Sequence, residues 1–160
     1  MLIRLDDLRG LEIAAFLEEH LEDMRAASPP ESKHALDLDG LRRPEITFWT
    51  AWDGDVIVGC GALKQLDATH GEIKSMRTRA SYRGRGVASA LLSHACEEAA
   101  RRGYRRVSLE TGSGEFFAPA RALYARFGFV DTEPFGDYKP DPNSCFMTKA
   151  LDRPRTNGLR

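Results

Sequence analysis

Cysteine is scarce in this 160-residue sequence, and long apolar runs are absent. The three cysteines, Cys60, Cys96 and Cys145, are far apart and match neither a CxxC pair nor a Cys/His metal spacing. This argues against a disulfide framework and a zinc site, so we expect reduced thiols and no bound metal. No apolar run approaches the roughly 18 residues of a membrane-spanning helix. We therefore expect no membrane partner.

The sequence also lacks an excess of charge of either sign, with a formal net charge of −1 and an isoelectric point near 6.4. This balance gives no global reason to expect a nucleic acid as a partner. Its 42% hydrophobic and 29% charged residues exclude the disordered and fibrous classes. The N-terminus turns acidic at Asp6 and Asp7, before the apolar core of a signal peptide could form, which predicts a cytoplasmic protein.

The near-zero total conceals an uneven distribution of charge along the chain. Residues 1–73 carry a net charge of −8, residues 74–106 a net charge of +7, and residues 107–160 a net charge of 0. We call residues 74–106 the basic segment. A local positive excess in an otherwise acidic or neutral chain predicts a small anionic ligand there.

The hydrophobic periodicity predicts a run of strands followed by strands that alternate with helices. Asp53-Gly54 lies between two apolar runs and predicts a hairpin turn, and we expect Ser113 to cap the last helix. Strands are predicted at 2–5, 46–52, 55–66, 72–78, 105–110, 129–132 and 145–151, and helices at 8–27, 35–42, 87–102 and 116–127. This order favours one α/β domain over residues 1–151, a mixed sheet with helices on both faces, and a polar tail at 152–160.

Glycine and arginine alternate between the predicted strand at 72–78 and the helix that follows, in Arg83-Gly84-Arg85-Gly86-Val87-Ala88. Glycine lets a backbone approach a ligand closely, and the first turn of a helix presents N–H groups at the positive end of its dipole. The pattern therefore predicts a cradle for phosphate groups. Five cations within twelve residues favour a ligand with several phosphates: Lys74, Arg77, Arg79, Arg83 and Arg85.

A glycine-rich turn can also have other functions. A Walker A loop is excluded because no Gly-Lys-Ser/Thr tripeptide occurs, and a dinucleotide fingerprint is disfavoured because Ser89 stands at its third glycine. A turn required only by chain geometry stays open. A nucleic-acid surface also stays open, although Tyr82 alone supplies an aromatic ring for stacking there.

Three segments together resemble a known family: Met76-Arg77-Thr78, Arg83-x-x-Gly86-x-Ala88, and Ala120-x-x-Leu123-Tyr124-x-x-Phe127-Gly128-Phe129. In this order they resemble the successive motifs of the GNAT superfamily of acyl-CoA-dependent N-acyltransferases. Ile46-Thr47-Phe48-Trp49 and Leu109-Glu110-Thr111-Gly112-Ser113 further resemble a YsnE-like bacterial subgroup. The resemblance implies an α/β (α+β) GNAT fold: a mixed, mostly antiparallel twisted sheet of six to seven strands, with about four helices on both faces.

The same resemblance implies acetyl-CoA as co-substrate, lying along the strand that ends at Thr78. Backbone groups of Met76 and Thr78 would bind the acetyl carbonyl and the pantetheine, and the N–H groups of residues 83–89 would bind the pyrophosphate. Many relatives carry asparagine where this chain has Phe117. The implied cofactor-binding residues are Met76, Arg77, Thr78, Arg83, Gly84, Arg85, Gly86, Val87, Ala88 and Ser89.

Acetyl transfer to an amine needs a base for the amine and an acid for the departing thiolate. The resemblance implies Tyr124 as the acid; the alternative is a core residue whose hydroxyl is hydrogen-bonded. For the base we favour Glu72, because residues 72, 74 and 76 of a regular strand share one face. A surface Glu72 paired with Lys74 is the alternative, and Glu110 is the second candidate.

The acceptor is expected between two loops that frame it in this architecture, Ser28–His34 and Phe135–Asn143, although His34 could simply be a capping or surface residue. We expect an N-acetyltransferase that acts on a primary amine of a small molecule by direct attack in a ternary complex. A non-catalytic acetyl-CoA sensor is the alternative. The expected partners are a small-molecule amine and neither a membrane nor a nucleic acid, and a homodimer is left open.

Overall fold

The computed structural model describes residues 1–27 and 38–151. The α-helices within these ranges are α1 (Leu11–Ala27), α2 (Leu38–Leu41), α3 (Val87–Arg101) and α4 (Ala118–Arg126). The strands are β1 (Leu2–Leu5), β2 (Ile46–Asp53), β3 (Val56–Asp67), β4 (His70–Thr78), β5 (Arg106–Gly112), β6 (Val130–Asp131) and β7 (Ser144–Ala150). Ala80–Tyr82 and Glu115–Phe117 form short 3₁₀ helices.

The strands form one sheet in the order β1-β2-β3-β4-β5-β7-β6. Each neighbouring pair is antiparallel except β4 and β5, which are parallel and are connected through α3. A parallel pair requires such a crossover, and here the connection contains the glycine-rich turn. The mixed, mostly antiparallel sheet confirms the predicted fold class.

The alternation of side chains along β2 supplies two hydrophobic cores on opposite faces of the sheet. Trp49 and Ala51 belong to the cluster that contains Leu91 and Leu92 of α3. Phe48, one residue earlier, belongs to the cluster that includes α1 and α2 residues. Both faces of the sheet are therefore covered, as expected.

Several predicted boundaries shift for local reasons. The helix α1 begins at Leu11 and not at Leu8, because Leu8 has a left-handed φ of 65° and its N–H donates to Asp6 Oδ1. The hairpin turn is Gly54-Asp55, since Asp53 still pairs with Val56. Part of the predicted helix 35–42, the loop 28–34 with His34, and the tail 152–160 lie outside the described residues.

Ser113 does not cap the last helix. Its hydroxyl donates to the carbonyl of Pro142 at 2.8 Å, which ties the β5–α4 connection to the loop before β7. The predicted helix at 116–127 is divided into a 3₁₀ turn and α4, which has Phe117 at its N-cap and a proline at its start. Proline suits a first helical turn because its missing N–H would have no partner there.

The strands β4 and β5 diverge after a short paired stretch. Their pairing runs from His70 opposite Arg106 to Ile73 opposite Leu109 and then stops. Between Lys74 and Arg77, β4 contains one more residue than the facing stretch of β3, and Ser75 has a left-handed φ of 56°. This β-bulge bends β4 away from β5 and opens a cleft between the two strands.

A buried polar chain lies where β4 and β5 are still paired. His70 Nε2 and Ser108 Oγ are 2.7 Å apart, and Ser108 Oγ and Thr148 Oγ1 are 2.9 Å apart. Burial and the nearby positive charge of Arg106 lower the pKa of His70, against opposing effects of Asp67 and Glu72. The folded protein therefore favours the neutral imidazole.

This environment predicts a contribution of His70 to acid unfolding. Because the pKa of His70 is lower in the folded state, the unfolded state binds the proton first, and stability is lost as the pH falls below about 6.5. Urea unfolding of the parent protein and of His70→Gln at pH 5 to 8 should show a smaller loss for the variant at acidic pH. One proton contributes at most about 1.4 kcal/mol per pH unit; equal pH slopes would contradict the prediction.

Candidate active site

A cavity of about 670 Å³ occupies the cleft between the diverging strands. Its walls are the second half of β4, the end of β5, the first turn of α3, and α4. Tyr138 and Asn143, from the connection between β6 and β7, complete it at the end where β4 and β5 pair. Five separate parts of the chain therefore meet around one cavity.

Of the twelve residues predicted for catalysis or cofactor binding, eleven line this cavity. They are Glu72, Met76, Arg77, Thr78, Arg83, Gly84, Gly86, Val87, Ala88, Ser89 and Tyr124. Arg85 is not among the lining residues. Its guanidinium carbon lies 4.9 Å from the centre of the Tyr82 ring. The cavity also includes Glu110, the second candidate for the base.

The start of α3 forms an anion-binding cradle. Gly84 and Gly86 have left-handed φ angles of 77° and 84°, and Gly86 is the N-cap of α3. Residues with a Cβ rarely adopt this conformation, so the glycines allow the chain to turn directly into the helix. The first i to i−4 bond of α3 runs from the Ala90 N–H to the Gly86 carbonyl, at 3.0 Å. The N–H groups before it have no partner within the helix; they belong to Val87, Ala88 and Ser89.

The five cations predicted to bind phosphates do not all lie at this cradle, and Arg79 and Arg85 are not among the residues that line the cavity. Lys74 pairs with Glu72, and Arg79 donates to the Ile57 carbonyl at 2.7 Å and packs over the Phe16 ring. The charge of Arg77 acts on the buried Cys60 thiol. Arg77 and Arg83 are the arginines of the predicted set that line the cavity, and Arg126 of α4 lines it as well.

Glu72 and Lys74 form an ion pair inside the protein. Lys74 Nζ is 3.0 Å from Glu72 Oε2, and the two side chains are only 8% and 4% exposed. The Tyr138 hydroxyl donates to the same carboxylate oxygen at 2.6 Å. Glu72 is therefore buried, and the alternative that placed it at the surface is wrong. The predicted pairing of Glu72 with Lys74 is confirmed.

Met76 does not share a strand face with Glu72 and Lys74, contrary to the sequence-based expectation. A Cβ on Gly61 would lie 2.7 Å from Met76 Sδ and 3.9 Å from Leu91 Cβ, so Met76 lies on the α3 face. Ile73 packs in the same cluster, which places Glu72 and Lys74 on the other face. The bulge at Ser75 interrupts the alternation on which the expectation depended.

Tyr124 of α4 is buried at 7% exposure and lines the cavity. Its ring packs edge-on against Phe129, and within residues 1–27 and 38–151 its hydroxyl forms no hydrogen bond. Burial, with a smaller effect of the Glu110 charge, raises the pKa of Tyr124 well above its usual value. Glu110 itself accepts a hydrogen bond from Ser144 Oγ at 2.7 Å.

Phe117 packs over Gly112 at the end of β5. A Cβ at Gly112 would overlap Phe117 Cδ2, so glycine is the residue that leaves room for the ring. Phe116 packs edge-on against Phe117, with 4.9 Å between the ring centres. Both rings line the cavity, which makes this part of its wall apolar.

Tyr138 and Arg126 are two cavity residues with long polar side chains that the sequence did not single out. Tyr138 lies within the loop 135–143, which was expected to frame the acceptor, but its partner Glu72 is 66 positions away in the chain. Arg126 follows Tyr124 by two residues, and its position beside a predicted catalytic residue was an available signal. Neither residue belongs to a motif that spacing alone would reveal.

The described residues contain no cluster of three or more histidine, cysteine or acidic side chains arranged for a metal ion. None of the helices in this part of the chain is long and apolar enough to cross a membrane.

The cavity combines a helix N-terminus, whose N–H groups suit phosphates, with the buried Glu72–Lys74 ion pair near the place where β4 and β5 pair. In comparison with known proteins, residues 13–129 match the sequence model described as the acetyltransferase (GNAT) family. The chain belongs to this family and is an acetyl-CoA-dependent N-acetyltransferase.

Among curated proteins, the chain is 60% identical over 151 residues to the protein named uncharacterized N-acetyltransferase YsnE of Bacillus subtilis. This match covers 94% of this chain and 100% of the relative. It is 48% identical over 149 residues to the protein named uncharacterized N-acetyltransferase YedL of Escherichia coli, covering 93% of this chain and 94% of the relative. The predicted YsnE-like resemblance is thus confirmed.

Among solved structures, an aminoglycoside 6′-N-acetyltransferase in complex with coenzyme A superposes with a TM-score of 0.72. The match covers 97% of this chain and 100% of that one at 17% identity, so it supports the shared fold.

Proposed function

We propose that this enzyme transfers the acetyl group of acetyl-CoA to a primary amine of a small molecule by direct attack within a ternary complex. The observation that carries the proposal is the single cavity that contains the cradle at α3, Tyr124, and the Glu72–Lys74 pair. Direct attack requires that the donor and the acceptor meet in one such space.

The residues of the cavity fit the parts of acetyl-CoA. The free N–H groups at the start of α3 and the guanidinium of Arg83 suit the pyrophosphate. Beyond Ile73 no strand of the described chain pairs with β4 on its β5 side, so backbone groups of Met76 and Thr78 face the cleft. These groups suit the amide and thioester oxygens of the pantetheine arm. Phe117 and Phe116 would add apolar contact along the opposite wall.

Glu72 and Tyr124 supply the two proton transfers in this proposal. The neutral acceptor nitrogen forms a bond to the acetyl carbon while the carbon–sulfur bond breaks. The proton that this nitrogen then loses passes to Glu72 directly or through water. Tyr124 hydrogen-bonds the departing sulfur and gives it a proton. Because its elevated pKa keeps the hydroxyl protonated, Tyr124 is ready to donate at neutral pH.

Binding of acetyl-CoA tests the first half of this function. A ligand present at 100 times its Kd stabilises the folded protein by about 2.7 kcal/mol, so we expect a clear rise in Tm. Ala88→Asp places a carboxylate in the cradle, although an acid in the first turn is compatible with the helix dipole. The variant should fold but show little shift with acetyl-CoA. No shift with the parent protein would contradict the proposal.

Release of free thiol tests the second half. The parent protein is incubated with acetyl-CoA and a panel of amino acids, polyamines, aminoglycosides and peptide N-termini. We expect amine-dependent thiol release with one class of the panel, together with an acetylated product of +42 mass units, the mass of the added acetyl group. Thiol release that does not depend on an amine would indicate hydrolysis and would overturn the proposed acceptor chemistry.

A further inference from the structure

The Glu72 carboxylate is held through only one of its two oxygens. Oε2 accepts from Tyr138 Oη at 2.6 Å and from Lys74 Nζ at 3.0 Å. Lys74 Nζ also donates to Tyr138 Oη at 3.1 Å, which closes a triangle of three polar groups. All three side chains line the active-site cavity.

This arrangement distinguishes the two carboxylate oxygens. Each oxygen offers about two lone-pair sites, and the two donors fill those of Oε2. No described residue donates to Oε1. Oε1 is therefore the carboxylate atom available to receive a proton from a bound amine.

The loop between β6 and β7 fixes the Tyr138 ring. The Tyr138 ring packs edge-on against the Phe135 ring, with 5.2 Å between the ring centres. It also packs at a tilt against the Phe146 ring, with 5.5 Å between the centres. The Tyr138 N–H also donates to the Phe135 carbonyl at 3.1 Å, and Phe135 is 8% exposed. The hydroxyl thus has a fixed position relative to Glu72, although the two residues come from opposite sides of the cleft.

We propose that Tyr138 is the positioning residue for the base: its hydroxyl holds Glu72 by Oε2 so that Oε1 faces the acceptor. This inference rests on the proposed role of Glu72. Burial and the negative charge of Glu72 raise the pKa of Tyr138 well above its usual value, so the hydroxyl remains a donor throughout the working pH range. Tyr138 acts through Glu72 and need not touch the acceptor.

The test is a double-mutant cycle of Tyr138→Phe and Glu72→Gln, measured with the amine identified in the thiol-release screen. Phenylalanine keeps the ring packing and removes the hydroxyl alone. We expect Tyr138→Phe to lower kcat about tenfold, with the Kd for acetyl-CoA from calorimetry changed less than twofold. In the Glu72→Gln background, Tyr138→Phe should lower kcat less than twofold further. The cycle is run at pH 9, where more of the amine is neutral and residual turnover is measurable.

Tyr104→Phe is the matched control, because Tyr104 is a buried tyrosine outside the cavity lining. It should leave kcat unchanged. An unchanged kcat in Tyr138→Phe would overturn the proposal, as would independent, multiplying effects of the two substitutions. Full turnover in Glu72→Gln would exclude Glu72 as the base and Tyr138 with it. Absence of amine-dependent turnover in the parent protein would instead refute the proposed function.

Discussion

Tyr124→Phe is expected to lower kcat about 100-fold while the Kd for acetyl-CoA changes less than threefold. A positioned general acid contributes roughly 10²- to 10⁴-fold to a rate, and the substitution removes only the hydroxyl. The phenylalanine ring can keep the edge-on packing against Phe129. Steady-state kinetics with thiol detection measure kcat, and calorimetry measures the affinity for acetyl-CoA.

The pH profile adds a second measurement of the same residue. The pKa of Tyr124 is raised, so the protonated form persists above pH 10, and Tyr124 should cause no loss of activity between pH 7 and 10. An unchanged kcat in Tyr124→Phe would exclude the acid role. A loss of affinity equal to the loss of kcat would assign the residue to cofactor binding.

Lys74→Met is expected to lower the free energy of unfolding by about 3 kcal/mol. Removing one partner of a buried ion pair strands the other charge, which costs about 3–5 kcal/mol in proteins. The lower end applies because both side chains border a cavity and because Tyr138 still donates to Glu72. Urea denaturation of the parent protein and the variant at pH 7 measures the difference.

A matched double variant separates the lost charge pair from lost packing. Glu72→Gln combined with Lys74→Met leaves no isolated charge, so it should recover at least half of the lost stability. An additive loss in the double variant would show that Glu72 and Lys74 stabilise the fold independently of each other. The effect of Lys74→Met on kcat is measured in the single variant, because the double variant lacks the Glu72 carboxylate.

Local sequence patterns predicted the part of the cavity that surrounds the start of α3. The glycine-rich turn, the start of α3 and Thr78 are contiguous in the chain, and their geometry follows from two positive φ angles and one helix N-terminus. The succession of helices and strands along the chain followed from the periodicity, and the fold class also from the family resemblance. Such features depend on residues that are neighbours in the chain, so they can be recognised from the sequence.

The part of the cavity around Glu72 and Tyr138 depends on contacts that the sequence does not display. The hydrogen bond between Glu72 and Tyr138 joins residues 66 positions apart. Lys74 and Arg79 are only five positions apart in the chain but have different partners, Glu72 and the Ile57 carbonyl. A charge count along the chain cannot register which face of a strand a side chain occupies.

The short pairing between β4 and β5 has a mechanical consequence. In the described sheet, one half consists of β1 to β4 and the other of β5, β7 and β6. The seam between the two halves consists of four residue pairs, from His70–Arg106 to Ile73–Leu109. The bond from Tyr138 to Glu72 crosses between these halves beside the seam. Any change in the angle at which the halves meet therefore alters the width of the cofactor cleft and the orientation of Glu72 together.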